Sequence, residues 1–291
     1  MALPLLLLPF FLSSVALLSE SRLSMDYYSK SCPTFNQIMQ ETITNKQITS
    51  PTTGAGTLRL LFHDCLPNGC DASILISSTP FNKAERDAEI NLSLPGDPFD
   101  LIVRAKTALE LSCPNTVSCS DILAVAARDL VVMLGGPYYN VYLGRKDSRS
   151  SRASSIEGKL PKPNMKMSQM IDLFAASGFN VQEMVALSGA HTIGFSHCKE
   201  FSSNIANDTR YNPSPNTFDN LYYQNLPKGL GLLESDHALY DDPRTKPYVD
   251  LYAKDQNKFF RDFARAMQKL SVYRIKTGKK GEIRRRCDSV N

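Results

Sequence analysis

Several features that are common in proteins are absent from this sequence or scarce in it. The 291 residues include no tryptophan and only four histidines, and they contain neither an HExxH motif nor a CxxC pair. A zinc site is therefore a poor interpretation of the chain. No nucleic-acid-binding motif is present, and the net charge is only +4, so we do not expect nucleic acid as a partner.

Long apolar runs are also scarce, because only residues 1–22 form one. This run predicts a secretory signal peptide, since its apolar core is short, contains two prolines and ends in serines. An N-terminal membrane anchor is the alternative, although no later stretch is long and apolar enough to span a membrane. We predict that cleavage leaves residues 23–291 as one domain without membrane attachment, which is secreted to the extracellular space.

Secretion determines how the cysteines are interpreted. An oxidising compartment favours disulfides, and an odd number of cysteines leaves at least one without a partner in the chain. Spacing alone leaves the connectivity of these cysteines open. The seven are Cys32, Cys65, Cys70, Cys113, Cys119, Cys198 and Cys287.

Hydrophobic residues, which make up 42% of the chain, recur mainly at the helical period. Strand-like alternation is best developed in YYNVYLG, residues 138–144. We predict a single, mainly α domain with very little β structure, in which Ser120 and Asn180 are N-caps. The clearest helical segments are Phe99–Cys113, Ser120–Leu134, Met167–Ser177 and Asn257–Ser271.

The segment TLRLLFHDCLPNGCDAS, residues 57–73, concentrates chemically active side chains. Its first part predicts a helix that ends at the Pro67-Asn68-Gly69 turn. Arg59 and His63 are four residues apart and lie on one helical face, whereas Asp64 lies about 100° around the helix. One face therefore offers a base beside a fixed positive charge. A buried structural histidine is the alternative interpretation of His63.

The turn after this helix offers a set of hard oxygen donors. Such donors suit Ca²⁺, and a disulfide between Cys65 and Cys70 could close the loop that carries them. Turn capping is the alternative role of the two aspartates. The donors are the side chains of Asp64, Asp71 and Ser73 and the backbone carbonyls of Pro67 and Gly69.

With these residues in view, the chain resembles the plant secretory (class III) haem peroxidases. RLLFHDCLPNGCDASILI is similar to the distal haem motif of that family, and VALSGAHTIGFSHC is similar to its proximal-ligand motif. Further matches in family order are SCSDILAVAARD, GGPYYNVYLGRKDS, LPKPN, FDNLYYQNL, GLLESDHAL and GEIRRRC.

The resemblance implies an all-helical fold with haem b held between a distal and a proximal helix. It implies an enzyme that reduces H₂O₂ and oxidises small phenolic donors in one-electron steps. Such chemistry would serve H₂O₂ catabolism, the response to oxidative stress and the oxidation of cell-wall phenols. A monomer is expected.

The resemblance also assigns three distal residues. His63 is the base that moves a proton from one oxygen of H₂O₂ to the other. Arg59 stabilises the negative charge that develops as the O–O bond breaks, and Asn91 holds His63 by a hydrogen bond. Because Asn91 also begins the sequon Asn-Leu-Ser, we expect it to be buried and unglycosylated, and Asn207 to be the better glycan site.

On the proximal side, the resemblance assigns His191 as the axial ligand of the haem iron. Asp236 matches the carboxylate that hydrogen-bonds the other nitrogen of that imidazole. Pro161 matches the proline beside the channel in which reducing substrates meet the haem edge. Tyr139 stands where the family commonly has its single tryptophan.

Six cysteines pair by the resemblance, as Cys32–Cys113, Cys65–Cys70 and Cys119–Cys287. Cys198 remains unpaired, because the segment between the proximal-histidine motif and the FDN motif is shorter than in the family. The same shortening places Tyr211 where the family has an aspartate of a proximal Ca²⁺ site. The positions of that site that still match are Thr192, Ser214, Thr217 and Asp219.

Two alternative functions stay open. The shortened segment favours a truncated peroxidase-like protein with impaired haem and proximal calcium binding and little activity. A Ca²⁺-dependent binding module without haem is the other alternative. Binding alone would not require the complete set of Arg59, His63, Asn91, His191 and Asp236.

Overall fold

The computed structural model describes residues 23–195 and 214–291 of the chain. Within these ranges the β contacts are isolated bridges, and the prediction of a mainly α fold is confirmed. The extended segment 138–144 reaches only one such bridge, between Leu143 and Ser24. Ten α-helices form there: α1 Phe35–Thr49, α2 Thr53–Asn68, α3 Gly96–Ser112, α4 Cys119–Met133, α5 Met167–Ala176, α6 Val181–Ser188, α7 Leu221–Asn225, α8 Glu234–Asp241, α9 Lys246–Lys254 and α10 Gln256–Ser271.

The core is built around α4, which packs against α1, α2 and α3. Most residues of this helix are buried, and many of them are small or branched, which lets the neighbouring helices approach closely. Helix α2 also contacts α10, which packs against α6 and α9. Helix α2 therefore lies between the N-terminal helices and the C-terminal ones. None of the helices in the described ranges is both long and apolar enough to cross a bilayer.

The two predicted N-caps differ in outcome. Asn180 caps α6, because its side chain accepts from the Glu183 amide at 2.8 Å and Glu183 accepts from the Asn180 amide at 2.9 Å. The prediction for Ser120 is wrong, since α4 begins at Cys119 and its N-cap is Ser118, two residues before Ser120. The Ser118 hydroxyl accepts from the Asp121 amide at 3.2 Å. Ser120 lies inside the first turn, where its hydroxyl donates to the Cys70 carbonyl at 3.0 Å.

Buried charges fasten the start of α4 to the end of α10. Asp121 and Arg145 form an ion pair at 2.8 Å, and neither side chain is exposed. The Arg145 Nε atom also donates to the Ser271 carbonyl at 2.9 Å, and Tyr28 donates its hydroxyl to Asp121 at 2.7 Å. Each charge therefore has several partners, which is the condition under which a buried ion pair is tolerated.

Three disulfides form in the pairing that the resemblance implies, and two of them join distant parts of the chain. Cys32–Cys113 links the segment before α1 to the end of α3, and Cys119–Cys287 links the start of α4 to the C-terminal segment. Cys65–Cys70 brackets the end of α2. Residues 1–22 and Cys198 lie outside the described ranges, so the signal peptide and the unpaired cysteine stay predictions.

The Asp121–Arg145 pair generates a prediction about stability. Arg145→Met should lower the free energy of unfolding by about 3–5 kcal/mol, because it leaves the Asp121 carboxylate buried without its counter-charge. Arg104, which pairs with Asp100 on α3 and is 65% exposed, provides the matched control. Arg104→Met should leave the free energy of unfolding nearly unchanged in the same denaturant titration. Equal losses in the two variants would contradict this account.

Candidate active site

Helix α2 carries Arg59 and His63 on one face, as their spacing predicts. The Arg59 Nε atom donates to His63 Nε2 at 3.3 Å. His63 is buried and Arg59 is half-buried. The helix ends at Asn68 and is followed by Gly69, whose φ of 112° lies in the region that glycine favours. A side chain at Gly69 would also collide with the Arg274 carbonyl. The predicted end of the helix at residues 67–69 is therefore confirmed, but Pro67 and Asn68 are its last helical residues and not part of a turn.

The distal histidine is held by the residue that the resemblance assigns to this task. His63 Nδ1 lies 2.7 Å from Asn91 Oδ1, and the Asn91 Nδ2 atom donates to the Glu85 carbonyl at 2.7 Å. That second bond fixes the amide with its oxygen toward the imidazole, so we assign the ring proton to Nδ1. The Nε2 lone pair then faces Arg59.

Electrostatics keep this imidazole neutral. Burial and then the positive charge of Arg59 lower the pKa of His63 to about 3, although the bond to Asn91 partly opposes the shift. The ring is therefore unprotonated at neutral pH and able to accept a proton at Nε2. Asn91 is 2% exposed, in agreement with the expectation that it is buried.

Sequence reasoning missed a residue that holds Arg59. Ser93 accepts from the guanidinium twice, through its backbone carbonyl at 3.0 Å and through its hydroxyl at 2.8 Å. In the sequence, only the position of Ser93 could have pointed to this role, because it is the third residue of the sequon that begins at Asn91. The two ends of the 91–93 segment thus hold the two functional groups of α2.

The proximal histidine lies in a short 3₁₀ turn, Gly189–Thr192, which follows α6 directly. His191 Nδ1 lies 2.8 Å from Asp236 Oδ1. Burial opposes protonation of this ring, but the charge and hydrogen bond of Asp236 outweigh it and raise the pKa of His191. The side chain of His191 is 48% accessible whereas that of Asp236 is only 4%. The imidazole is therefore half accessible, whereas the carboxylate that holds it is buried.

The two histidine-bearing elements lie against each other. A Cβ atom on Gly194 would come within 2.7 Å of the Ala55 Cβ atom, so the segment after His191 touches α2. The Arg59 charge is also near enough to lower the pKa of His191. These two elements together offer the side chains that an iron porphyrin needs, since one supplies an accessible imidazole and the other a base and a cation.

The five predicted distal calcium donors lie at the buried C-terminal end of α2 and in the loop that follows it, here called the distal loop. The Asp64 carboxylate accepts from the backbone amides of Asp71 and Ala72, at 3.1 and 2.9 Å. Asp71 accepts from the Ser73 amide at 3.0 Å. Pro67 and Gly69 are buried at the end of α2, as are Asp64, Asp71 and Ser73.

Charge balance in this loop favours a divalent cation. The Ser73 hydroxyl donates to Glu85 at 2.8 Å, which brings a third buried carboxylate beside Asp64 and Asp71. Burial and then the charges of Asp71 and Glu85 raise the pKa of Asp64. Lys276, which contacts Asp71, supplies one positive charge for these three carboxylates. Sequence reasoning missed both Glu85 and Lys276. In the described part of the chain no three His, Cys, Asp or Glu side chains form a metal cage by themselves, so the hydroxyl and carbonyl oxygens would be needed.

The predicted proximal calcium residues form a less complete set of ligands than the distal ones. The hydroxyls of Thr192 and Ser214 donate to the two oxygens of Asp219, at 2.8 and 3.0 Å. Thr217 is exposed, and its amide donates to the Ser214 carbonyl at 2.9 Å. Only one carboxylate is thus present among the described members of this group. Tyr211 and Asn207 lie outside the described residues.

The remaining predicted site residue, Pro161, is half-buried in the segment before α5. Two residues later, the Pro163 carbonyl accepts from the Ser235 amide at 2.8 Å. This segment is therefore attached to the helix that carries Asp236. A place for Pro161 beside a substrate channel stays a prediction.

Known proteins resemble this chain over nearly its whole length. A family model described as Peroxidase matches residues 36–255. Peroxidase 63 of Arabidopsis thaliana is 60% identical over 99% of this chain and 96% of its own length. Peroxidase 31 of the same plant is 61% identical over 94% of this chain and 95% of its own length, and Peroxidase 41 is 52% identical over 97% and 95%.

These comparisons also bear on the shortened segment. The alignment with Peroxidase 63 has 315 positions, whereas this chain has 291 residues, so at least 315 − 291 = 24 positions have no residue here. Because the alignment covers both proteins almost from end to end, most of those gaps are internal. The deficit agrees with the loss of an internal segment.

The matched family uses haem, and the side chains of the two histidine-bearing elements suit that group. The identity of 60% over 99% of the chain, together with the family match, is decisive. The chain belongs to the plant secretory peroxidase family.

Proposed function

We propose that this peroxidase, which acts on H₂O₂, binds haem b through His191 and oxidises small phenols one electron at a time. We further propose that it acts as a secreted monomer, outside the cell or in the cell wall, and that it carries Ca²⁺ in the distal loop. The observation that carries the proposal is the contrast between its two histidines. Nδ1 is bound in both rings, to the neutral amide of Asn91 in His63 and to the carboxylate of Asp236 in His191.

An amide partner and a carboxylate partner have different effects on an imidazole. Asn91 orients His63 without adding negative charge, so that ring stays neutral and its Nε2 atom is a proton acceptor. Asp236 accepts a hydrogen bond from Nδ1 of His191, which makes the opposite ring nitrogen a stronger electron donor to a metal. One ring is thereby suited to proton transfer and the other to ligation.

Three steps follow for the side chains on the distal side. His63 accepts a proton at Nε2 from one oxygen of H₂O₂, and returns it to the other oxygen, which leaves as water. The Arg59 guanidinium, held by Ser93, stabilises the charge that develops during O–O cleavage. A haem bound at His191 would supply the electrons for that cleavage. Two phenols would then restore those electrons, so that H₂O₂ and two phenols give two waters and two phenoxyl radicals.

The alternative of a truncated, inactive relative is not favoured. Only the shortened segment favours that alternative. The five residues assigned to distal and proximal chemistry are all present, and hydrogen bonds link Arg59, His63 and Asn91 to one another and His191 to Asp236. The relatives that match nearly the whole chain are named as peroxidases, which also supports an enzyme over a binding module.

The direct test starts from the chain 23–291, refolded with haemin, Ca²⁺ and a thiol–disulfide buffer. We expect a sharp Soret band that changes on addition of H₂O₂ and returns on addition of a phenol. His191→Ala should lose tight haem binding. His63→Leu should retain it and react with H₂O₂ at least about 100-fold more slowly. Absence of haem binding in the unmodified chain would overturn the proposal.

The pH dependence of the reaction with H₂O₂ follows from the environment of His63. Only the neutral ring is a base, and the pKa of about 3 makes the rate flat between pH 5 and pH 8. Asn91→Asp adds a negative charge beside Nδ1, which raises the pKa of His63 toward the assay range. The stopped-flow rate of that variant should therefore be about tenfold lower at pH 5 than at pH 8. Asn45→Asp, an exposed change on α1, should keep the flat profile, and an equally flat profile for Asn91→Asp would contradict the assignment.

Calcium in the distal loop should stabilise the fold by balancing its buried carboxylates. With free Ca²⁺ at about 100 times its dissociation constant, chelation should cost about 2.7 kcal/mol of unfolding free energy. Asp71→Asn should abolish most of the difference between unfolding with Ca²⁺ and with chelator. Asp219→Asn should retain that difference, because its group offers only one carboxylate. A Ca²⁺ effect that survives Asp71→Asn but disappears in Asp219→Asn would place the ion at the proximal site instead.

A further inference from the structure

A third group, besides the His191 ring and the Leu233 backbone amide, reaches the carboxylate of Asp236. His191 Nδ1 and the Tyr222 hydroxyl both bond to the Asp236 Oδ1 atom, each at 2.8 Å. The Leu233 amide donates to the other oxygen at 2.9 Å. The imidazole therefore shares its acceptor atom with a phenol. Sequence analysis assigned no role to Tyr222.

Local structure explains why this tyrosine reaches the site and its neighbour does not. Tyr222 and Tyr223 are consecutive on α7, so their side chains leave the helix about 100° apart. Tyr222 meets Asp236 at the start of α8 and packs edge-on against His191, with ring centroids 5.8 Å apart and an interplanar angle of 88°. Tyr223 instead donates to the Val185 carbonyl of α6 at 2.7 Å.

The phenol remains a donor under all ordinary conditions. Tyr222 is 8% exposed. Burial and then the negative charge of Asp236 raise the pKa of its hydroxyl well above the ordinary value. A protonated phenol beside a carboxylate has one favourable arrangement, in which the hydroxyl donates.

We propose that Tyr222 is a positioning residue that limits, through Asp236, how strongly His191 donates electrons to a bound haem iron. This inference rests on the proposed role of His191 as axial ligand. A hydrogen bond from the phenol draws electron density from the shared oxygen. Less density then remains to polarise the Nδ1–H bond of the imidazole. The ring stays closer to a neutral imidazole than a carboxylate without this competing donor would make it.

The sign of the effect on the iron follows. A more electron-rich imidazole stabilises the ferric state and lowers the ferric–ferrous potential. Tyr222 therefore raises that potential, and removal of its hydroxyl should lower it. The three donors, which bond to both oxygens of Asp236, also explain why this buried carboxylate is tolerated.

The test compares two adjacent tyrosines in the haem-loaded full chain. Tyr222→Phe removes only the hydroxyl and keeps the ring that packs against His191. Tyr223→Phe is the matched control, since it removes a buried hydroxyl that bonds to a backbone carbonyl. We expect Tyr222→Phe to shift the ferric–ferrous equilibrium toward ferric about tenfold, a change of about 59 mV for one electron. Its iron–histidine stretching frequency should rise in the ferrous resonance Raman spectrum, and Tyr223→Phe should change neither quantity.

A double-mutant cycle shows whether the effect passes through the carboxylate. In an Asp236→Asn background, Tyr222→Phe should leave the potential unchanged. Equal shifts in Tyr222→Phe and Tyr223→Phe would overturn the inference, because they would report loss of packing. An unshifted potential in Tyr222→Phe, with haem bound and an iron–histidine band present, would overturn it while leaving the proposed function intact. A haem-loaded wild-type chain without an iron–histidine band would overturn both.

Discussion

The active site depends on one constraint: the rings of His63 and His191 are each held by a hydrogen bond at Nδ1. A free imidazole rotates and exchanges tautomers, so neither its lone pair nor its proton has a fixed direction. Here Asn91 fixes one ring and Asp236 fixes the other, both through bonds shorter than 3 Å. The opposite nitrogen of each ring is thereby left for chemistry. Under the proposed function, the difference in charge between the two partners makes one ring a base and the other a metal ligand.

The two histidines differ in how the secondary structure holds them. His63 lies well inside α2, a helix of 16 residues that packs against α3 and α4. His191 lies in a 3₁₀ turn of four residues, where few backbone bonds hold it. Its position depends instead on Asp236, which is itself fixed at the start of α8 by the Leu233 amide and by Tyr222. The distal residue is held by its helix, whereas the proximal residue is held by a carboxylate.

Much of the site could be predicted from the sequence, because some of its geometry is local. The spacing of Arg59 and His63 fixes their shared face, and Gly69 marks the end of their helix. Partners that are distant in sequence could not be predicted in this way. Ser93, Tyr222 and Lys276 meet their partners across 34, 14 and 205 residues, and only packing brings such pairs together. The resemblance to a family supplied His191 and Asp236, which are 45 residues apart, but it did not supply their neighbours.

The error at Ser120 has the same physical origin. Ser118 and Ser120 both precede the apolar part of α4, and local rules do not distinguish them. The tertiary fold does, because the Ser120 hydroxyl donates to the Cys70 carbonyl. A residue that is needed for a contact between elements is not available as a cap.

The burial of Asn91 has a consequence for the order of events in biosynthesis. The Nδ2 atom to which a glycan would be attached is the atom that donates to the Glu85 carbonyl. In a secreted chain, oligosaccharide transfer and folding would therefore compete for one nitrogen, because a sugar attached before folding would have to be buried with Asn91. The folding rate of the 85–93 segment, relative to the rate of glycosylation, would then set the fraction of molecules in which Asn91 orients His63.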